Sequence, residues 1–200
     1  MIVNFLLGFL GVIVFLFIFW KRLREDYSSD VIFQVATYIL VGLVLGLTAS
    51  KLFFPIWFFW LSFLGALMGM FLMIAKFKLR FYETFEAFIL AAMPTVSIMF
   101  FKDSIIHSSL NSFLAFVASL VFIFLAYWID LNYKNFTWYE SGKIGFTGLF
   151  VAILFFLVRT VIAITGIGVV SFVGRFEAII SGALVLICIG LLFNLGKKRI

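Results

Sequence analysis

Seven runs of apolar residues, each about 18 to 24 long, follow one another along the chain, separated by short clusters of charged and small polar residues. They extend approximately from Ile2 to Trp20, Val31 to Ala49, Leu52 to Ala75, Phe81 to Phe101, Leu110 to Ile129, Ile144 to Thr165 and Ala178 to Leu195. At about 1.5 Å of helix per residue, each run crosses a hydrocarbon core of about 30 Å with some tilt. Strands of a membrane barrel would alternate polar and apolar residues over about ten positions, and these runs do not. The pattern predicts an all-α membrane protein with seven transmembrane helices. Residues 1–200 form a single polytopic domain with no soluble domain.

Composition narrows the class. Of 200 residues, 66% are hydrophobic and 12% are charged, too little polar material to clothe a water-facing surface. A two-domain enzyme, a nucleic-acid reader and a receptor with an ectodomain are excluded. The net charge of +6 then matters through its placement. With the N-terminus outside, one side receives Lys21, Arg22, Arg24, Lys76, Lys78, Arg80, Lys134, Lys143, Lys197, Lys198 and Arg199, and the other only Lys51, Lys102 and Arg175. Cytoplasmic loops near span ends accumulate Lys and Arg, so the expected orientation is N-terminus outside and C-terminus cytoplasmic. The first run has no basic residues ahead of it and no small-x-small cleavage site, and Lys21-Arg22-Leu23-Arg24 follows it at once, so it reads as an uncleaved span.

The spans carry few chemical groups. Gly42 with Gly46 and Gly65 with Gly69 are GxxxG pairs in neighbouring spans, read as close helix packing or as a backbone-lined substrate surface. Pro94, in the middle of span four, should kink its helix and free a carbonyl. Cys188 stands alone in an apolar run, so it forms neither an intrachain disulfide nor a metal motif. Arg159 lies inside span six, about 22 Å from its inner end. An intramembrane charge faces a bundle interior or a wet cavity. Two readings stand for it: snorkelling or pairing with Glu177 or Asp103, and a phosphate site for a lipid, since a guanidinium binds phosphate through paired donors.

Lys102, Asp103, His107, Arg175 and Glu177 are nearly all the other ionisable groups on the outer side. His107 is either a solvated loop residue or a proton shuttle, because its ordinary pKa lies near 6.5. Glu83 and Glu86, one helix face at the other side near Lys76, Lys78 and Arg80, read as an interfacial ion cluster. Trp57, Trp60, Tyr127, Trp128, Trp138 and Tyr139 sit near span ends as interface anchors do.

Two stretches carry a resemblance. Ser62-Phe63-Leu64-Gly65-Ala66-Leu67-Met68-Gly69, the basic loop ending at Arg80, and then Glu83 to Pro94 and Lys102 resemble the middle of prolipoprotein diacylglyceryl transferases. In that family a span opens with Ser-Phe-His-Gly-Gly-Leu-x-Gly, followed by a basic loop, an acidic residue, a proline and an Arg-x-x-Asn motif. Ser141-Gly142-Lys143-Ile144-Gly145 through Phe155 and Arg159 looks like the family's glycine-containing stretch leading to Tyr-x-x-x-Arg. Leu64 stands where the family has its histidine, Ala66 where it has the second glycine, Lys102 at or beside the motif arginine, Ile105 at the asparagine and Phe155 at the tyrosine. Arg159 matches.

The resemblance implies seven spans in a bacterial-type plasma membrane and transfer of a diacylglyceryl group from an anionic phospholipid, phosphatidylglycerol, to the cysteine thiol of a prolipoprotein signal peptide. Such transfer needs a base for the thiol and cations for the departing glycerol phosphate. His107 and Asp103 are the candidates for the catalytic base, and Arg159, Lys102 and Arg175 for binding the lipid phosphate. No cofactor, metal or nucleic acid is expected. The alternative is a non-catalytic lipid-binding or partner-binding membrane protein that keeps the fold. A transporter has less support, since no pair of Gly/Pro-broken spans recurs in corresponding halves.

Overall fold

Seven helices account for almost all of the computed structural model, which describes residues 2–132 and 145–197. They are α1 (Ile2–Leu23), α2 (Ser29–Phe53), α3 (Phe58–Phe77), α4 (Phe81–His107), α5 (Leu110–Asn132), α6 (Phe146–Ile164) and α7 (Phe176–Lys197). Each is long and apolar enough to cross a membrane, and the described residues contain no strand. The chain is a multi-pass, all-α membrane protein. Lys134, Lys143, Lys198, Arg199, Trp138, Tyr139 and the segment from Ser141 to Ile144, all used above, lie outside the described residues.

Helix ends depart from the apolar runs where local chemistry decides. The second run does not stop at Ala49. It continues through Lys51 to Phe53, and the break falls at a 3₁₀ turn over Pro55–Trp57, because proline removes a donor and forces the residue before it out of the helical region. Phe54 accordingly has φ −143°. Helix α1 runs past Trp20 to include Lys21 and Arg22 in its last turn, where positive charge meets the negative end of the helix dipole. Helix α4 continues six residues beyond Phe101, and Ser108 closes it in the left-handed region at φ 48°. Through Pro94 the helix runs on without a break, and the Thr95 hydroxyl donates to the carbonyls of Ala91 and Ala92, in the turn where proline has removed a donor.

Helix α4 lies at the centre, with α1, α5 and α6 packed on it, while α7 packs on α6 and α2 packs chiefly on α3. A Cβ added at Gly42 would strike the carbonyl of Gly65, one at Gly46 the carbonyl of Leu61, and one at Gly69 the carbonyl of Tyr38. The two GxxxG pairs therefore serve helix packing, since only glycine lets these backbones meet. Across α4 and α6, a Cβ on Gly148 would lie 2.6 Å from the Cα of Glu86. Elsewhere the core is aromatic, with Trp60, Phe63, Phe88 and Phe156 in ring contact across α3, α4 and α6.

Side-chain contacts place the ends of α1, α3 and α5 and the starts of α4 and α6 together at one end of the bundle, around Arg22. The starts of α3, α5 and α7 and the ends of α4 and α6 lie at the other, around Arg159. This alternation is the one the charge sorting assumed. Of the described cations it gathers Lys21, Arg22, Arg24, Lys76, Lys78, Arg80 and Lys197 at one end and Lys51, Lys102 and Arg175 at the other, with Arg159 buried inside the bundle.

Candidate functional site

The Arg159 end contains all the residues expected to carry chemistry, and the structure divides them between an interior cluster and a rim. Arg159 sits near the end of α6 with 3% of its surface exposed. Its Nε and one terminal nitrogen donate to Oε1 of Glu177 at 2.9 and 2.6 Å. Further donations go to the hydroxyl of Ser171 at 2.8 Å and to its carbonyl at 3.1 Å. The rings of Phe59 and Phe172 lie 4.1 and 4.8 Å from the guanidinium carbon, favourable positions for a desolvated cation.

Glu177 is fully buried and equally engaged. Beyond Arg159, it accepts from the Trp60 indole at 2.9 Å, the Ser181 hydroxyl at 2.9 Å and the Val173 amide at 3.2 Å. Trp60, expected at the membrane interface, is instead 2% exposed and bonded inside the bundle. A buried charge is tolerated when it is paired and its remaining hydrogen-bonding capacity is met, and this cluster meets both conditions. It ties α3, α6, α7 and the segment preceding α7 into one unit.

The space beside this cluster is small. A cavity of about 30 Å³ touches Arg159, Ser119, Phe122 and Phe172. That accommodates about one or two waters, far below the several hundred Å³ of a small-molecule site. On its far wall the hydroxyl of Ser97 donates to Ser119 at 2.6 Å, joining α4 to α5.

The rim holds Lys102, Asp103, His107 and Arg175. Asp103 and His107, one turn apart on α4, come together: Asp103 Oδ1 lies 2.8 Å from His107 Nδ1, and Asp103 Oδ2 accepts from the Ser112 hydroxyl. The Asp103 side chain is 12% exposed and the His107 side chain 68% exposed. A neutral His107 that donates Nδ1–H to Asp103 keeps Nε2 as its acceptor. Serine here bonds the aspartate rather than the imidazole, so the three do not form a nucleophile, base and orienter in series. Lys102 is half-buried and Arg175 exposed, and neither has an ion-pair partner among the described residues. Leu64, at the position of the resembled family's histidine, is 52% exposed on α3.

At the opposite end lies a second polar cluster. Arg22 pairs with both Glu86 and Asp130, Glu86 accepts the Gly145 amide, and Thr147 donates to Asp130 at 3.2 Å. Arg22 on α1 thus binds carboxylates of α4 and α5 directly, and α6 joins them through Thr147. Glu83 behaves as the sequence suggests, pairing with Arg80 at 2.8 Å and accepting from the Tyr27 hydroxyl at 2.7 Å. Burial pushes the Tyr27 phenol above its ordinary value. Glu86 does not join that interfacial group. The signal for Arg22 and Asp130 was their position, charges in the last turns of α1 and α5, but adjacency in the chain says nothing about a pairing over 108 residues.

Among the described residues no three His, Cys, Asp or Glu side chains gather to hold a metal ion. No family model, curated protein or solved structure matches the chain.

Proposed function

We propose that this chain is a lipid-binding membrane protein without transferase chemistry. It keeps a seven-span layout like that of the diacylglyceryl transferases in a bacterial-type plasma membrane, with the Arg22 end in the cytoplasm. Anionic phospholipid headgroups are held at the opposite face by Lys102 and Arg175. The observation that carries this reading is the enclosure of Arg159. The residue that matches the family motif spends its donors on Glu177 and Ser171, and the cavity beside it, at about 30 Å³, is far too small for a phospholipid headgroup. The phosphate-binding role expected of three cations then falls to the two at the rim.

Lipid retention by the purified protein tests it. At about 1 kcal/mol per cation near a headgroup, Lys102→Ala and Arg175→Ala should each reduce retained phosphatidylglycerol about fivefold. Unchanged retention overturns the reading. Incubation with phosphatidylglycerol and a lipobox peptide should yield no thioether product.

One observation favours a second reading, transfer at the rim. Asp103 Oδ1 lies 2.8 Å from His107 Nδ1, a contact that a neutral imidazole makes by donating Nδ1–H, with Nε2 left as the base. In that reaction Nε2 takes the thiol proton, the thiolate forms a C–S bond to the diacylglyceryl carbon, and the C–O bond to phosphate breaks. Glycerol phosphate leaves and takes up the proton. Product formed by the intact protein and lost in His107→Ala would establish this reading in place of the first.

A further inference from the structure

The connections at the two ends of the bundle differ in what they expose. Between α1 and α2, at the Arg22 end, Arg24, Glu25, Asp26 and Ser28 are exposed. At the Arg159 end, the α2–α3 turn exposes Phe53, Phe54 and Ile56, at 72, 61 and 66%. Where α6 passes into α7, the exposed side chains are Ile164, Ile167, Val170 and Phe176. The Trp57 and Phe176 rings lie 6.1 Å apart, so these two apolar connections adjoin. Clustered apolar side chains on a surface mark an interaction face, and the level of this one and its backbone bonding identify what covers it.

The level follows from the helices. A Cβ on Gly148 would lie 2.6 Å from the Cα of Glu86, and α4 and α6 run in the same direction from there. Phe100, fourteen residues beyond Glu86, and Ile162, fourteen beyond Gly148, line one cavity, so the register holds along both helices. Ile164, the last residue of α6, is therefore level with Lys102. A hydrocarbon core of about 30 Å takes about 20 residues of helix. Counted from Glu83, whose partner Arg80 is exposed to water, it ends near Asp103. Helix α4 continues to His107, about 7.5 Å past Lys102 and enough to cross a headgroup layer of about 5 to 8 Å. Helix α6 stops at the boundary. A Cβ on Gly182 would lie 3.7 Å from the Thr160 methyl, which sets Phe176 of the antiparallel α7 only about 3 Å above Ile164.

Both connections also bond their backbone as a segment withdrawn from water must. In the α2–α3 turn the Phe54 amide donates to the Ser50 carbonyl and the Trp57 amide to the Phe54 carbonyl, each at 2.9 Å, and Pro55 has no amide proton. After α6, the Phe172 and Phe176 amides donate to the carbonyls of Val169 and Val173, and the Val173 amide to Glu177. The Gly168 carbonyl accepts from the Asn111 side chain at 3.0 Å, and the Ser171 carbonyl from Arg159. We infer that these two connections form a lipid-inserted surface, with their apolar side chains among the glycerol backbones and upper acyl chains of the leaflet at the Arg159 end. Charge agrees with a phosphate layer above them: Lys51 and Arg175 are exposed, whereas the neighbouring anion, Glu177, is buried. The partner is the bilayer surface itself, and the inference does not rest on headgroup retention at Lys102 and Arg175.

Spin labelling of the full-length protein tests it. In a Cys188→Ala background, a nitroxide is attached at Ile56→Cys, Ile167→Cys, Ile106→Cys or Ser28→Cys, and each protein is placed in nanodiscs of equal parts phosphatidylcholine and phosphatidylglycerol. Collision with oxygen, which concentrates in hydrocarbon, is compared with collision with a water-soluble nickel chelate. At Ile56 and Ile167 the oxygen-to-nickel ratio should exceed severalfold the ratio at Ile106, in the projecting end of α4, and at Ser28, between α1 and α2. All four residues are exposed, so the labels leave the core undisturbed. The ratio reports local depth and is independent of how much phosphatidylglycerol the rim retains. A ratio at Ile56 or Ile167 no higher than at Ile106 and Ser28 overturns the inference, since that connection then stands in water. Exclusion of both reagents from either site overturns it too, because a second copy or another protein then covers the face.

Discussion

Arg159 shows how far a single residue can be read. Its depth in an apolar run identified it as a charge needing a partner, and Glu177 was one of the partners its position allowed. What the chain could not disclose was the completeness of the pairing, because Trp60 approaches Glu177 from 117 residues away. Removing one member of a buried pair strands the other, at about 3 to 5 kcal/mol. Arg159→Gln and Glu177→Gln should each destabilise the protein by that order, and the double substitution by less than their sum, measured by reversible unfolding in mixed micelles. Additive losses would show that the pair is not a unit. Tyr27 offers a pH-dependent counterpart outside the membrane. Its phenol is raised above the ordinary value of about 10, so the neutral form that donates to Glu83 is the favoured one. Its contribution to stability is intact below about pH 10 and is lost as pH rises through the folded-state value. The tyrosinate absorbance missing from Tyr27→Phe should therefore appear above pH 10, and a midpoint at or below 10 contradicts the placement.

For the elements, apolar run length was sufficient to count the helices but not to end them. Lys51 looked like a boundary and is not one, because a lysine at a helix end can extend into water while its stem covers apolar surface. Pro55 is the boundary because backbone geometry leaves it no choice. The GxxxG pairs were legible as packing devices, since small residues at that spacing place two flat surfaces on one helix side. Their exact partners became visible only with the register of α2 against α3. Gly42→Ala or Gly65→Ala drives a methyl into the facing carbonyl and should cost about 1 to 3 kcal/mol, as overpacking does. Gly190→Ala on α7 meets nothing within 4 Å and should be neutral or slightly stabilising, by up to about 1 kcal/mol, because alanine is the better helix former. Thermal unfolding of the three variants side by side checks the contrast, and equal melting shifts would refute the register.

At the scale of the whole molecule, few charges mean that each one is informative. With Cys188 replaced by Ala, a membrane-impermeant thiol reagent applied to intact cells should label Ile106→Cys and spare Ser28→Cys. The reverse pattern would invert the orientation. The clusters at the two ends differ in what they join: the Arg22 end gathers α1, α4, α5 and α6, whereas Glu177 reaches α3 through the Trp60 indole and α6 through Arg159. That difference sets an order of assembly during synthesis. Arg159 enters the bilayer 18 residues ahead of its counter-ion, so α6 and α7 gain by inserting as a pair whose charges cancel. The indole of Trp60 waits for the same carboxylate through the translation of more than half the chain. A nascent chain halted before residue 176 would hold a cation and an indole that share one missing acceptor, an unfinished intermediate that quality-control proteases should remove.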